Sequence, residues 1–119
     1  MSTRSRIAIQ NSDGTVESVY CHWDGYVDGL GADLVENYKT EADVRWLLTQ
    51  GDMSYLGDPY RNRGEDVPSR ISSDVQTLIA KMGEDYTYLF LPAQSAWVVY
   101  GVEFLGTVPD VIESRRDQV

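Results

Sequence analysis

The sequence predicts an α+β fold in a single domain: an antiparallel sheet of four to five strands from two hairpins, with about three helices packed mainly on one face. Three observations predict it. Two runs of alternating apolar residues flank Asn11-Ser12-Asp13-Gly14, whose Asp-Gly pair is a strong hairpin signal. A second pair of runs, residues 86–91 and 96–100, flanks Pro92-Ala93-Gln94-Ser95. Between the pairs lie segments with helical spacing, so the order reads ββ-αα-loop-α-ββ. The 119 residues suffice for one core and are too few for two ordinary domains. Residues 1–119 therefore read as one domain, with 102–119 as its C-terminal extension.

The first hairpin joins residues 6–10 to 15–23. With a loop of two or four residues, Ile7, Ile9, Val16, Tyr20 and His22 share one face, and Arg4, Arg6, Val19, Cys21 and Trp23 share the other. A three-residue loop or a bulge reverses the second strand. Residues 29–38 place Leu30, Leu34 and Tyr38 on one helical stripe, with Asp28 as N-cap. Thr40 caps a second helix that carries acids in its first turn, buries Val44, Leu47 and Leu48, and stops at Gly51. Residues 52–70 show no period and hold Gly57, Pro59, Gly64 and Pro68; they read as an ordered loop with a short strand near Tyr60, of a length that is often functional. Val75, Leu78, Ile79 and Met82 give the cleanest helix, capped by Ser72 or Ser73 and ended by Gly83. Tyr86 to Leu91 and Ala96 to Tyr100 form the second hairpin, and residues 102–105 extend it or add a strand. Residues 109–119 close the chain as a short helix begun by Pro109. Trp46 and Trp97 read as core or partial core, and Tyr86, Tyr88 and Tyr100 as one sheet face.

Composition narrows the function classes. Ten basic and nineteen acidic residues give a net charge of −9, which opposes direct binding to a phosphate backbone or to an anionic membrane surface. No apolar run approaches the ~20 residues that span a bilayer, and no signal peptide is evident, so a cytoplasmic location is expected. One cysteine allows no internal disulfide, in keeping with a reducing compartment. Eight of the ten cations are arginine, a residue suited to fork-like recognition of carboxylate or phosphate.

The densest run of chemistry is Tyr20-Cys21-His22-Trp23-Asp24-Gly25-Tyr26. It reads either as a ligand pocket or as a polar core turn. Cys21 and His22 are strand neighbours that point to opposite faces, which disfavours a Cys–His nucleophile pair. His22 and Asp24 are two apart and suit either a general base for a small hydrolase or a satisfied half-buried histidine. One His, one Cys and scattered acids do not make the ligand clusters of zinc or calcium sites, so no metal and no cofactor is expected. Arg61-Asn62-Arg63-Gly64-Glu65 is a second group, in which two guanidinium forks suit a phosphate or carboxylate. The ligand-binding residues read from these groups are Tyr20, His22, Trp23, Asp24, Tyr26, Arg61, Arg63 and Glu65, with no catalytic residue assigned.

The order of these groups carries a resemblance. The Ser2-Thr3-Arg4-Ser5 start, Asp13-Gly14, the Tyr20-to-Tyr26 run, Gly51 to Gly57 and the Arg61-to-Glu65 group together resemble a family of small proteins from phages, prophages and other bacterial mobile elements, over roughly residues 2 to 100. The resemblance implies provenance and a bacterial host cytosol, and no particular activity. With no nucleophile–base pair, metal cluster or phosphate-cradling glycine motif, and with small size, acidity and the local aromatic and arginine groups beside that provenance, the favoured reading is a non-catalytic accessory protein that binds a host or defence component, or sequesters a small anionic, nucleotide-like ligand between Trp23, Tyr26 and the two arginines. The alternatives are an acidic nucleic-acid mimic or protein–protein inhibitor of a host DNA-binding or defence protein, and a small hydrolase using His22 and Asp24. A homodimer through a sheet edge or an exposed aromatic face is also expected.

Overall fold

The computed structural model describes residues 3–56 and 68–116. Strands β1 (Ser5–Gln10) and β2 (Val16–Cys21) form the first hairpin, paired from Gln10↔Val16 to Ser5↔Cys21. Asn11 N donates to Thr15 O at 2.8 Å, which closes a three-residue loop of Ser12, Asp13 and Gly14. Gly14 lies at φ 88°, a conformation in which a side chain is strained. Asp13 Oδ1 accepts hydrogen bonds from the Thr15 hydroxyl (2.6 Å) and amide (3.0 Å), which hold its carboxyl below the usual range. The odd loop reverses the face assignment for an even one. Val19 and Cys21 join Ile7 and Ile9 on one face, while Val16, Ser18 and Tyr20 join Arg6 and Ala8 on the other.

The sheet has six strands in the order β3 (Arg70–Ser72), β2, β1, β4 (Tyr86–Leu91), β5 (Ala96–Tyr100), β6 (Phe104–Thr107). The α+β class is as read, but the sheet is mixed. The two hairpins meet through β1 and β4, which pair in parallel from Ser5↔Tyr86 to Ile9↔Phe90. A parallel pair needs a long crossover, which the segment between β2 and β4 supplies. It also needs cover on both faces, and β1 and β4 are buried along nearly their whole length. β3 is only three residues long and leaves no period in the sequence. β6 lies at the sheet edge, where Phe104 and Leu105 are exposed.

One face carries most of the helical cover. A π-helical turn (Val27–Gly31) runs into α1 (Ala32–Asn37), followed by α2 (Glu41–Thr49) and, after β6, α4 (Val108–Arg116). Val27, Leu30, Leu34, Val44, Leu47, Leu48 and Val108 bury against Ile7, Ile9, Val19, Tyr88, Phe90, Trp97 and Val99. The opposite face is covered by α3 (Val75–Met82), whose Leu78 buries with Ala8, Val16, Leu89 and Val98. Beside that second core the Arg6 side chain is also buried, its Nε donating to Ser18 Oγ at 3.0 Å. Among the described residues no helix is long and apolar enough to cross a membrane.

Several local readings change. Tyr26, not Asp28, precedes the first helical turn, and Asp28 falls inside it, where its charge favours the helix N-terminus. Thr40 caps α2 as read, accepting from Asp43 N at 3.1 Å. The cap of α3 is Asp74, whose Oδ1 accepts from Thr77 N at 2.8 Å; Ser73 instead bonds the Thr77 hydroxyl. Trp97 is core: its ring meets Phe90 edge-on at 5.2 Å and its Nε1 donates to Tyr38 O at 2.8 Å. Trp46 is 59% exposed, because it lies off the Val44, Leu47, Leu48 stripe of α2. Tyr86 and Tyr88 share the first face, but Tyr100 pairs with Thr87 and so lies on the other. The short strand expected near Tyr60 lies outside the described residues.

Candidate functional site: the aromatic turn after strand β2

The turn that follows β2 is held by backbone bonds on two sides. Beyond Cys21 the chain runs beside residues 52–54. Tyr20 N donates to Asp52 Oδ1 (2.8 Å) and Met53 N to Tyr20 O (2.8 Å). His22 N donates to Met53 O (3.1 Å) and Trp23 N to Ser54 O (2.7 Å). On the other side Gly25 N donates to Thr3 O at 2.9 Å, and the buried Tyr88 hydroxyl donates to Gly25 O at 2.6 Å. A Cβ on Gly25 would lie 2.7 Å from Thr3 O and 2.8 Å from Ser5 Oγ, so the close approach requires glycine. Asp24 takes φ 59°, a left-handed conformation that aspartate tolerates better than most residues, and its carbonyl accepts from Leu30 N at 3.2 Å. The backbone of the run is thus a clamped corner, and the core-turn reading of it is sound for Cys21 and Gly25.

The side chains divide between core and surface. Cys21 is buried, its thiol donates weakly to Trp23 O at 3.7 Å, and burial pushes its pKa up to about 12. The Ser5 hydroxyl opposite it is buried and, among the described residues, has no hydrogen-bond partner of ordinary geometry, with the Cys21 thiol as a weak polar neighbour. Tyr20 and His22 lie on the same side of the strand, with the tyrosine oxygen 2.7 Å from His22 Nδ1. Burial raises the Tyr20 pKa, so the phenol stays neutral and shares this hydrogen bond with the ring nitrogen. Among the described residues the His22 ring bonds to Tyr20, and the His22–Asp24 pairing considered for a hydrolase is not made. The His22 ring then meets Trp23 edge-on at 4.5 Å.

Trp23 and Tyr26 face solvent, 46% and 44% exposed, and Tyr55 joins them at 51%. The three rings border a cleft of about 170 Å³ whose described lining also includes Asp24, Gly29, Leu30, Asp33 and Leu56. Tyr26 lies across the backbone of the helical turn: a Cβ on Gly29 would fall 2.5 Å from its ring. Leu30 is buried at the floor and Leu56 is half-buried. Two carboxylates and no cation occur among the described lining residues.

Of the residues read from sequence, Trp23, Asp24 and Tyr26 come together at this cleft, with His22 and Tyr20 behind Trp23 in a line of rings. Arg61, Arg63 and Glu65 lie outside the described residues. Tyr55, Asp33 and Leu56 were missed as site residues. Their signal is tertiary: Asp33 sits one turn into the helical segment, and Tyr55 and Leu56 arrive because residues 52–54 pair with the end of β2. Asp52 was missed too, although a carboxylate beside a tight glycine turn is suited to take up a strand-end amide.

The chain matches no protein-family model, no curated protein and no solved structure.

Proposed function

We propose that the protein is a non-catalytic binding protein whose aromatic turn docks a partner protein. One observation carries this reading: three half-exposed rings from two separate chain segments converge on one cleft over a backbone held by hydrogen bonds. Exposed Tyr and Trp supply large contact area with little side-chain entropy to lose, which is why they concentrate at interfaces. Two groups suited to catalysis, Cys21 and His22, are otherwise engaged. The Cys21 thiol is buried and neutral, and His22 Nδ1 is taken by a tyrosine. The resemblance to proteins of phages and other mobile elements supplies the setting: a bacterial cytosol, with a host or defence protein as target. The sequestration of a small anionic ligand loses ground, since the described wall of the cleft is acidic.

Site-specific photo-crosslinking in a bacterial host tests the reading. Benzoylphenylalanine replaces Tyr55 in one chain and the exposed Ile71, on strand β3, in another. The reading predicts a discrete protein adduct from position 55 that disappears when Trp23→Ala is added, and no such adduct from position 71. Equal adducts from both positions, or a position-55 adduct indifferent to Trp23, would contradict it.

A further inference from the structure

We infer that the cleft recognises the cationic head of a basic side chain, arginine above lysine, presented by the partner; this rests on the binding reading above. The first ground is the chemistry of the walls. Trp23, Tyr26 and Tyr55 present aromatic surface, and ring faces carry negative potential that attracts a guanidinium or ammonium. Asp24 and Asp33 add two carboxylates to the same lining, and its described residues hold no cation to offset them.

The second ground is size. At about 170 Å³ the cleft is smaller than the roughly 300–1,000 Å³ of ordinary small-molecule sites. A nucleotide overfills it, whereas one guanidinium fits, and the apolar Leu30 and Leu56 suit the methylene stem of a long side chain. Arginine is favoured because its planar, weakly hydrated head stacks on rings and reaches a carboxylate with a fork of donors.

The third ground is the field of the whole molecule. A net charge of −9 raises the local concentration of cations and repels anions on approach. Ring faces, the two carboxylates and global charge therefore favour the same ligand class. An anion at this cleft would oppose all three.

The test follows the indole N–H signals of the three tryptophans by NMR at fixed ionic strength. The probes are N-acetyl-arginine amide, the peptide Gly-Arg-Gly with blocked ends, tetramethylammonium and adenosine monophosphate. Trp97 serves as internal control, since its indole is buried and bonded to Tyr38 O. The inference predicts a saturable shift of the Trp23 signal with both arginine probes, at about millimolar affinity for a single head group, and none with adenosine monophosphate. Asp33→Asn should weaken that binding about 2–5-fold, the scale of one exposed charge contact. A response to tetramethylammonium as strong as that to arginine would overturn the preference for a guanidinium. A response to adenosine monophosphate, or none to any cation, would overturn the inference while leaving the crosslinking result to judge the binding reading separately. An adduct at position 55 with no arginine response means a partner docks by other chemistry; loss of both means the turn is not a docking site.

Discussion

The β4–β5 hairpin and the turn after β2 are both rich in aromatic residues, and they treat them in opposite ways. In the hairpin, Tyr88, Phe90 and Trp97 are buried, with Phe90 and Trp97 edge-on at 5.2 Å and the Trp97 N–H satisfied by Tyr38 O. In the turn, Trp23, Tyr26 and Tyr55 stand half in solvent around a cleft. The difference lies in the backbone. Regular strand alternation sends Tyr88, Phe90, Trp97 and Val99 to the larger core and Leu89 and Val98 to the core under α3, so both faces of these strands are interior. Beyond Cys21 that alternation ends in a clamped corner, which turns Trp23 and Tyr26 outward while Cys21 and Gly25 stay inside. The buried rings stabilise the fold, and the turn's rings are free to meet something else.

Substitutions sharpen this contrast. The largest effect belongs to Trp97→Ala, which empties a core site and orphans the Tyr38 carbonyl. A loss of about 3–5 kcal/mol is expected, read as a fall in the urea midpoint. Gly25→Ala comes next. The new methyl must displace Thr3 O or the Ser5 side chain, so thermal unfolding should show a loss of about 1–3 kcal/mol, although the residue is small and sits in a turn. Gly14→Ala in the first hairpin meets no atom within 4 Å and suffers only from its φ of 88°. About 1 kcal/mol is expected there; a larger loss would show that the loop is strained in some further way.

Alkali tests the buried side of the turn. Burial favours the neutral Cys21 thiol in the folded state, raising its pKa from 9.0 to about 12. The raised value makes the contribution to stability full below the unfolded pKa, near 9, and lost as pH rises toward 12. Thiol labelling of the native protein at pH 8 should accordingly be slow and should accelerate sharply in urea. Fast labelling of the native state would place Cys21 nearer the surface.

Much of the fold was legible because its signals are local. The Asp13-Gly14 turn, the Val75-to-Met82 stripe and the paired apolar runs each specify an element without knowledge of the rest. The parallel β1–β4 pair was not legible, since no short-range pattern says how two hairpins dock. The three-residue β3 is too short to show a period. The loop parity was open because the turn closes either by an even number of residues, two or four, or by three or a bulge, and the Asn11–Thr15 backbone bond decides it. The cleft was half legible. Trp23, Asp24 and Tyr26 stand together in sequence, but Tyr55 and Asp33 reach them only through the pairing of residues 52–54 and the helical turn. Trp46 was misplaced because an aromatic on an amphipathic helix reads as apolar whichever side it occupies.

The rings of the turn lie outside the folding core. Urea unfolding of the double variant Trp23→Ala/Tyr55→Ala, measured beside Trp97→Ala and the unsubstituted chain, tests it most directly. The double variant should fold and stay within about 2 kcal/mol of the unsubstituted chain, more stable than the single Trp97 variant despite losing two rings. A double variant as unstable as Trp97→Ala, or one that fails to fold, would contradict it and make the aromatic turn part of the core.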